Sequence, residues 1–141
     1  MSRLTDIDNY LVVENGQIKE STFKQDIQIQ NQTLTINEDA KVQIIYKVTQ
    51  EGDYRFNITL KEHLHVDLIE MYEVSTKCRF TKNIKVNESC EVLRYVEKNS
   101  QENISIDLDE NVDVCANAHI SCAYVELTDY STFSKVKYQL L

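Results

Sequence analysis

The chain has 141 residues, of which 42% are hydrophobic and 27% charged, a length and balance that suit one globular domain and not a disordered segment. Its 23 acidic residues outweigh 15 Lys and Arg, and a formal net charge of -8 with no basic run argues against nucleic acid and anionic membrane as partners. Gly occurs twice and Pro and Trp not at all, so phosphate-cradling loops, dinucleotide-binding turns and two-residue hairpins lack the glycines they need.

The first residues, Met1 to Asn9, are polar and include Asp6 and Asp8; no basic stretch leads into an apolar one, so they do not read as a signal peptide. Thr5 and Asp6 suit the cap of a short turn running to Tyr10. No segment approaches 18 apolar residues, which excludes a transmembrane helix. Together these features point to the cytoplasm, where Cys78, Cys90, Cys115 and Cys122 are expected as reduced thiols. Four Asn-x-Ser/Thr triplets begin at Asn31, Asn57, Asn87 and Asn103, and read as turn asparagines.

From Val12 onward a motif recurs. It runs Ile36-Asn37-Glu38-Asp39-Ala40-Lys41-Val42, then Leu60 to Val66, Val86 to Val92 and Leu108 to Val114, with weaker copies at Val12 to Ile18 and Leu127 to Phe133. Its acidic positions, 14, 38, 62, 88, 110 and 129, are spaced by 24, 24, 26, 22 and 19 residues. A period in the low twenties marks a unit that buries its apolar face only against stacked neighbours. Within the units apolar and polar residues alternate: Leu64, Val66 and Leu68 against His63, His65 and Asp67, and Ile104, Ile106 and Leu108 against Ser105, Asp107 and Asp109. Alternation of this kind predicts half-buried strands. The expected fold is therefore an all-β solenoid with coils of roughly 22–26 residues, acidic and polar residues at the corners, and Glu38, Glu62, Glu88 and Glu110 in one corner column. Residues 1–26 would form an N-terminal coil or cap and 27–141 the stacked coils of a single domain. The competing architecture is a β-sandwich or jelly roll.

Few residues suggest chemistry. His63, His65 and Asp67 would share the outer face of one strand, and two imidazoles with a carboxylate are the ligand set of mononuclear iron sites; this is also the starting point for a cupin-like, metal-dependent jelly-roll enzyme. Cys90 would stand in the inward column of Ala40, Leu64 and Val112, Cys115 falls out of phase with Val112 and Val114, and Cys122 is in phase with Ile120 and Tyr124. Stacked coils could bring Cys90, Cys115 and Cys122 together, and a thiolate set of that kind holds an iron–sulfur cluster. No nucleophile–base pair or phosphate-binding motif is present, so no catalytic residue is assigned and an enzyme is not expected. The C-terminal strand, Val136-Lys137-Tyr138-Gln139-Leu140-Leu141, ends on two leucines; Val136, Tyr138, Leu140 and Leu141 are the expected edge of a homo-oligomer formed by strand addition.

Three consecutive segments carry a family resemblance: Leu68-Ile69-Glu70-Met71-Tyr72, Arg79-Phe80-Thr81-Lys82-Asn83 and Cys90-Glu91-Val92-Leu93-Arg94-Tyr95. In that order, and with the strands from Asn103 to Phe133, they resemble the core of the SufB/SufD family of the SUF iron–sulfur cluster assembly system, over roughly Ile27 to Leu141. The resemblance implies a right-handed parallel β-helix, a cytosolic complex with SufB- and SufC-like proteins, and a SufD-like scaffold role without catalysis. Members of that family are several times longer. Their ATPase-docking helical segment and their late Cys and His residues match no position here.

Overall fold

The computed structural model describes residues 8–100, 104, 106–126 and 133–141. Every regular element among them is a strand: β1 (Asn9–Glu14), β2 (Gln17–Thr22), β3 (Ile27–Gln30), β4 (Thr33–Ile36), β5 (Ala40–Val48), β6 (Asp53–Leu60), β7 (His65–Val74), β8 (Cys78–Val86), β9 (Glu91–Ser100), β10 (Ile106–Val114), β11 (His119–Glu126) and β12 (Phe133–Leu140). They form two six-stranded sheets, one ordered β11-β9-β7-β5-β1-β2 and the other β12-β10-β8-β6-β4-β3. From β5 onward the chain gives one strand to each sheet in turn, and each strand pairs in parallel with its equivalent one coil away. The molecule is a parallel β-solenoid of about four coils, as the repeat predicts.

The pairing register measures the coils directly. Ala40 pairs with Val66, Val66 with Val92 and Val92 with Ile120, steps of 26, 26 and 28 residues. In the other sheet Ile36, Leu60, Val86, Val114 and Leu140 form one column, in steps of 24, 26, 28 and 26. This column corrects the fourth copy of the motif. Leu108 to Val114 lies wholly within β10, not at a corner, and the true equivalent of Val86 to Val92 runs from Val114 to Ile120. Glu110 accordingly leaves the acidic column and is buried at 1% exposure. Cys90 stands between Leu64 and Ala118 at the corners, since Glu91 N donates to Leu64 O (2.8 Å) and His119 N to Cys90 O (2.8 Å). Ala40 pairs with Val66 and Val112 with Ile84, so neither belongs to the Cys90 column.

The corners need little glycine because single residues take the left-handed conformation. His63, Ser89 and Asn117 have φ of 62°, 59° and 59°, and they occupy one position of three successive corners. Their amides turn toward the next coil: His63 N donates to Glu88 O (2.9 Å) and Ser89 N to Ala116 O (3.0 Å). Asn31 (φ 55°) is a turn asparagine as expected, and Asn87 at a corner donates to Leu60 O (2.7 Å). Asn57 is not in a turn. It sits on the outer face of β6, in a ladder where Asn111 donates to Asn83 (3.2 Å), Asn83 to Asn57 (3.1 Å) and Asn57 to the Thr33 hydroxyl (3.4 Å). Asn103, residues 5–7 of the turn expected over Thr5 to Tyr10, and all but Phe133 of the weak copy at Leu127 to Phe133 lie outside the described residues; Asn9 and Tyr10 belong to β1, not to a turn.

The N-terminal side departs from the repeat. Leu11 pairs with Ile44, 33 residues on, because β2 and β3 are inserted there as antiparallel partners of β1 and β4. Asn9, 2% exposed, pins the returning chain: its Oδ1 accepts from Lys24 N (2.7 Å) and its Nδ2 donates to Gln25 Oε1 and Lys41 O (3.2 Å). With that segment in place Leu11 and Val13 are fully covered. Inside the solenoid the alternating Val, Ile, Leu and Phe residues of both sheets meet, and Tyr46 stacks on Tyr72 (centroids 4.6 Å apart) with Phe80 edge-on to both.

The corner geometry sets a test on Ser89. A β-branched residue is strained at positive φ, whereas glycine is not. Ser89→Val is expected to lower stability by about 1–2 kcal/mol, and Ser89→Gly to leave it unchanged or slightly raised, as read from urea unfolding midpoints.

Candidate functional site

Strand alternation places five charged residues in the inward phase of their strands. Glu70 follows Leu68 and precedes Tyr72 in β7; Lys82 lies between Phe80 and Ile84 in β8; Arg94 and Lys98 flank Val96 in β9; Glu110 lies between Leu108 and Val112 in β10. The side chains of Glu70, Lys82, Arg94 and Glu110 are wholly inaccessible. Ions taken out of water at this depth cost several kcal/mol each unless paired and hydrogen-bonded.

Here all four are. Lys82 Nζ reaches Glu70 Oε1, Glu110 Oε2 (3.0 Å) and the hydroxyl of Tyr72 (2.5 Å). Arg94 donates from Nε to Glu70 Oε2 and makes a two-pronged contact with Glu110, Nη1 to Oε1 (2.9 Å) and Nη2 to Oε2 (2.6 Å). Tyr46 donates to Glu70 Oε1 (2.7 Å), Tyr72 to Glu110 Oε2 (3.3 Å) and Tyr124 to Glu110 Oε1 (2.9 Å). Lys82 also lies over the rings of Tyr46 and Tyr72, 4.4 and 4.7 Å from their centroids. Two carboxylates and two cations make the cluster electrically balanced; three of the four carboxylate oxygens have two or more donors, and Glu70 Oε2 has Arg94 Nε.

The electrostatics follow from that arrangement. Burial alone would raise the Glu70 carboxyl, but Arg94 and Lys82 override it and hold it below its ordinary range. At Glu110 burial again pushes up, and Lys82 with the Arg94 hydrogen bond pulls the carboxyl well below the usual carboxylate range. Burial would strip the Arg94 proton, yet Glu70 and Glu110 hold it more firmly than in water. Tyr46 and Tyr72 are kept protonated by burial first and by the neighbouring carboxylates second. The shifts of Glu70, Glu110, Arg94, Tyr46 and Tyr72 all run away from neutrality, so what these five groups offer is fixed hydrogen bonding and charge.

The network reaches the last described coil. Arg94 donates to the Tyr124 hydroxyl (3.0 Å), which lies 3.4 Å from that of Tyr138. Burial raises both phenols. These rings are inward-facing, yet Tyr124 is 37% and Tyr138 44% exposed, and Leu140 in the core column is 83% exposed. Leu141 is exposed too. Val136 pairs with Glu110 through the β12 backbone.

The residues singled out from the sequence lie elsewhere. His63 is in a corner, outside β7, so it does not share the strand alternation of His65 and Asp67. His65 and Asp67 do point outward; His65 Nδ1 is 3.6 Å from Glu91 Oε2. Cys90 is buried and donates to Lys61 O (2.9 Å), with burial raising its thiol. Cys115, on the next corner, is half-buried, with its sulfur 3.9 Å from Asn87 Oδ1. Cys122 faces the interior in the column of Arg94, away from both corners, and burial raises it despite that guanidinium. Cys78 begins β8, its thiol pushed up to about 11 by burial and then by Asp107. Among the described residues no three His, Cys, Asp or Glu side chains are grouped so as to hold a metal ion. The buried network is the part the sequence reading left out, and its signal was a charged residue in the apolar phase of four strands in succession.

Compared with known proteins, the chain matches no family model, no curated protein and no solved structure.

The network predicts a loss of stability in acid. Carboxyls held low in the folded chain contribute stability above the unfolded value near pH 4, and that contribution disappears as pH falls through the folded value. The urea midpoint should therefore fall steeply below about pH 4, and less steeply in Glu110→Gln. At pH 7 Lys82→Met, which leaves two buried carboxylates facing one cation, is expected to cost about 3–5 kcal/mol.

Proposed function

We propose that this chain is a SufD-like scaffold of iron–sulfur cluster assembly, without catalysis of its own, which works by pairing its solenoid with another chain, most simply a second copy. The observation that carries the pairing is the exposure of Tyr124, Tyr138 and Leu140, core-phase side chains of the last described coil. Among the described residues β11 and β12 are the outermost strands of their sheets, and the backbone of an edge strand is the group that accepts a further strand. The tyrosine hydroxyls suit a two-fold contact, since each can donate and accept and neither brings a charge.

The iron–sulfur assignment rests on the order of the β7, β8 and β9 segments and on the solenoid they share with the SufB/SufD core. In this reading SufB- and SufC-like proteins are the partners and the cytoplasm the location. The outward His65 and Asp67, separated from the corner residue His63, give a cupin-like metal enzyme no support.

Sedimentation velocity tests the pairing. The wild-type chain is expected to form a dimer that dissociates on dilution, and Leu140→Lys to weaken it at least about tenfold, the loss expected of a central apolar contact. A wild-type chain that stays monomeric at every concentration would overturn the reading. Anaerobic reconstitution with iron and sulfide divides the iron–sulfur role. A visible charge-transfer band absent from the variant with all four cysteines replaced by serine makes the chain a cluster carrier. Its absence from both proteins leaves a partner scaffold.

A further inference from the structure

The two sheets turn different outer faces to solvent. That of β6, β8 and β10 is polar, with the asparagine ladder at its centre and Arg79 between Asp107 (3.9 Å) and Asp109 (3.4 Å). The outward positions of β7 and β9 instead carry Ile69, Met71, Leu93 and Tyr95, beside Ala123 on β11, while the outward Ile45 of β5 is only 6% exposed. Leu93 is 63% exposed. A groove of about 440 Å³ crosses these strands, with Ile69, Leu93, Tyr95 and Ala123 along it and Lys41 and Asp67 on one side.

On β5 the same face is already closed. Gln43 is an outward residue of β5, yet it is fully buried among its neighbours. Its Nε2 donates to Met71 Sδ (3.2 Å), and its Oε1 is, among the described residues, the one buried side-chain oxygen or nitrogen with no hydrogen-bond partner. An unmatched buried acceptor is costly, but this one is sealed from any docked molecule, so the open part of the face lies over β7 and β9.

Charge and backbone chemistry narrow the occupant. Asp67, Glu73, Glu91 and Glu97 border the apolar strip on β7 and β9, against Lys41 and Lys47 on β5, and Lys47 is already 4.0 Å from Glu73. A second copy, itself at net charge -8, would set two acidic borders face to face. A sheet face offers no unpaired backbone groups, so an added strand has nothing to bond; the occupant must bring a backbone already satisfied, as a helix does. We propose that the outer face of β7 and β9, beside β11, docks an amphipathic helix of another protein, with apolar side chains in the groove and lysine or arginine along its flanks. This surface adjoins the coil end invoked for pairing along β11, and variants at Leu93 and Tyr95 against one at Leu140 tell the two apart.

The test uses the full chain and two labelled helical peptides, one with a leucine face flanked by lysines and its counterpart with every lysine replaced by glutamate. Fluorescence anisotropy should show binding of the lysine peptide alone. Leu93→Ser/Tyr95→Ser, which changes no charge at neutral pH and removes exposed side chains only, should weaken it at least about tenfold, while Leu140→Ser leaves it unaltered. Three results would each overturn the proposal: equal binding by the double variant, equal binding of the glutamate peptide, or wild-type self-association abolished by Leu93→Ser/Tyr95→Ser, which would make a second copy the occupant. Unchanged unfolding midpoints for both variants tie any loss to the surface.

Discussion

The salt links between Glu70, Lys82, Arg94 and Glu110 are what hold the middle of the solenoid to one arrangement. A purely apolar stack can slide by two residues and still bury the same face, because strand alternation repeats every second position. Here Lys82 and Glu110 are direct neighbours on β8 and β10, while Arg94 on β9 lies diagonal to Glu70 on β7. A slip of β8 against β10 in either direction would part Lys82 from Glu110 and leave buried charges unanswered, a penalty that apolar contacts of similar size do not impose. The network also joins the two sheets, since Glu70 and Arg94 come from one and Lys82 and Glu110 from the other. It therefore fixes both the coil register and the distance across the core.

The interior changes character along the stack. Around β5 and β6 it is Val42, Ile44, Tyr46 and Phe56; around β7 and β8 it takes in Glu70, Tyr72 and Lys82; around β9 and β10 it holds Arg94, Lys98 and Glu110. On β11 and β12 the inward positions include Cys122, Tyr124 and Tyr138. The charges are thus kept two coils deep, and the layer beyond them is neutral but hydrogen-bonding. A contact made at that layer meets hydroxyls in place of bare ions, while the hydroxyls themselves are oriented by Arg94 and Glu110 beneath.

Much of this was legible in the sequence. Period-two alternation marks one buried face per strand, which a sandwich also provides, and the repeat in the twenties is what points to stacked parallel coils. The polar corners around Glu62 and Glu88 were legible for the same reason. Glu110 was misplaced because Leu108-Asp109-Glu110-Asn111-Val112 copies the corner motif while keeping strict strand alternation, and only the pairing of Val86 with Val114 separates the two. The inserted pair β2 and β3 left no mark in the motif count. The charged network was half visible: phase says that Glu70, Lys82, Arg94 and Glu110 turn inward, but not that residues from two sheets, 12 to 40 positions apart, meet at one point. The outer apolar strip was hidden likewise, since Ile69, Leu93 and Ala123 are neighbours only once the register is known.

The asparagine ladder on the opposite face has a direction. Each amide nitrogen gives its proton to the oxygen of the coil before it, from Asn111 through Asn83 and Asn57 to a hydroxyl on Thr33. The same column continues beyond Asn111 to Lys137, a side chain that donates only. The side-chain amide dipoles therefore line up along the solenoid axis, like beads threaded one way, and flipping a single one would set two oxygens or two nitrogens against each other. A surface built of uncharged side chains in this way carries a polarity from one end of the stack to the other.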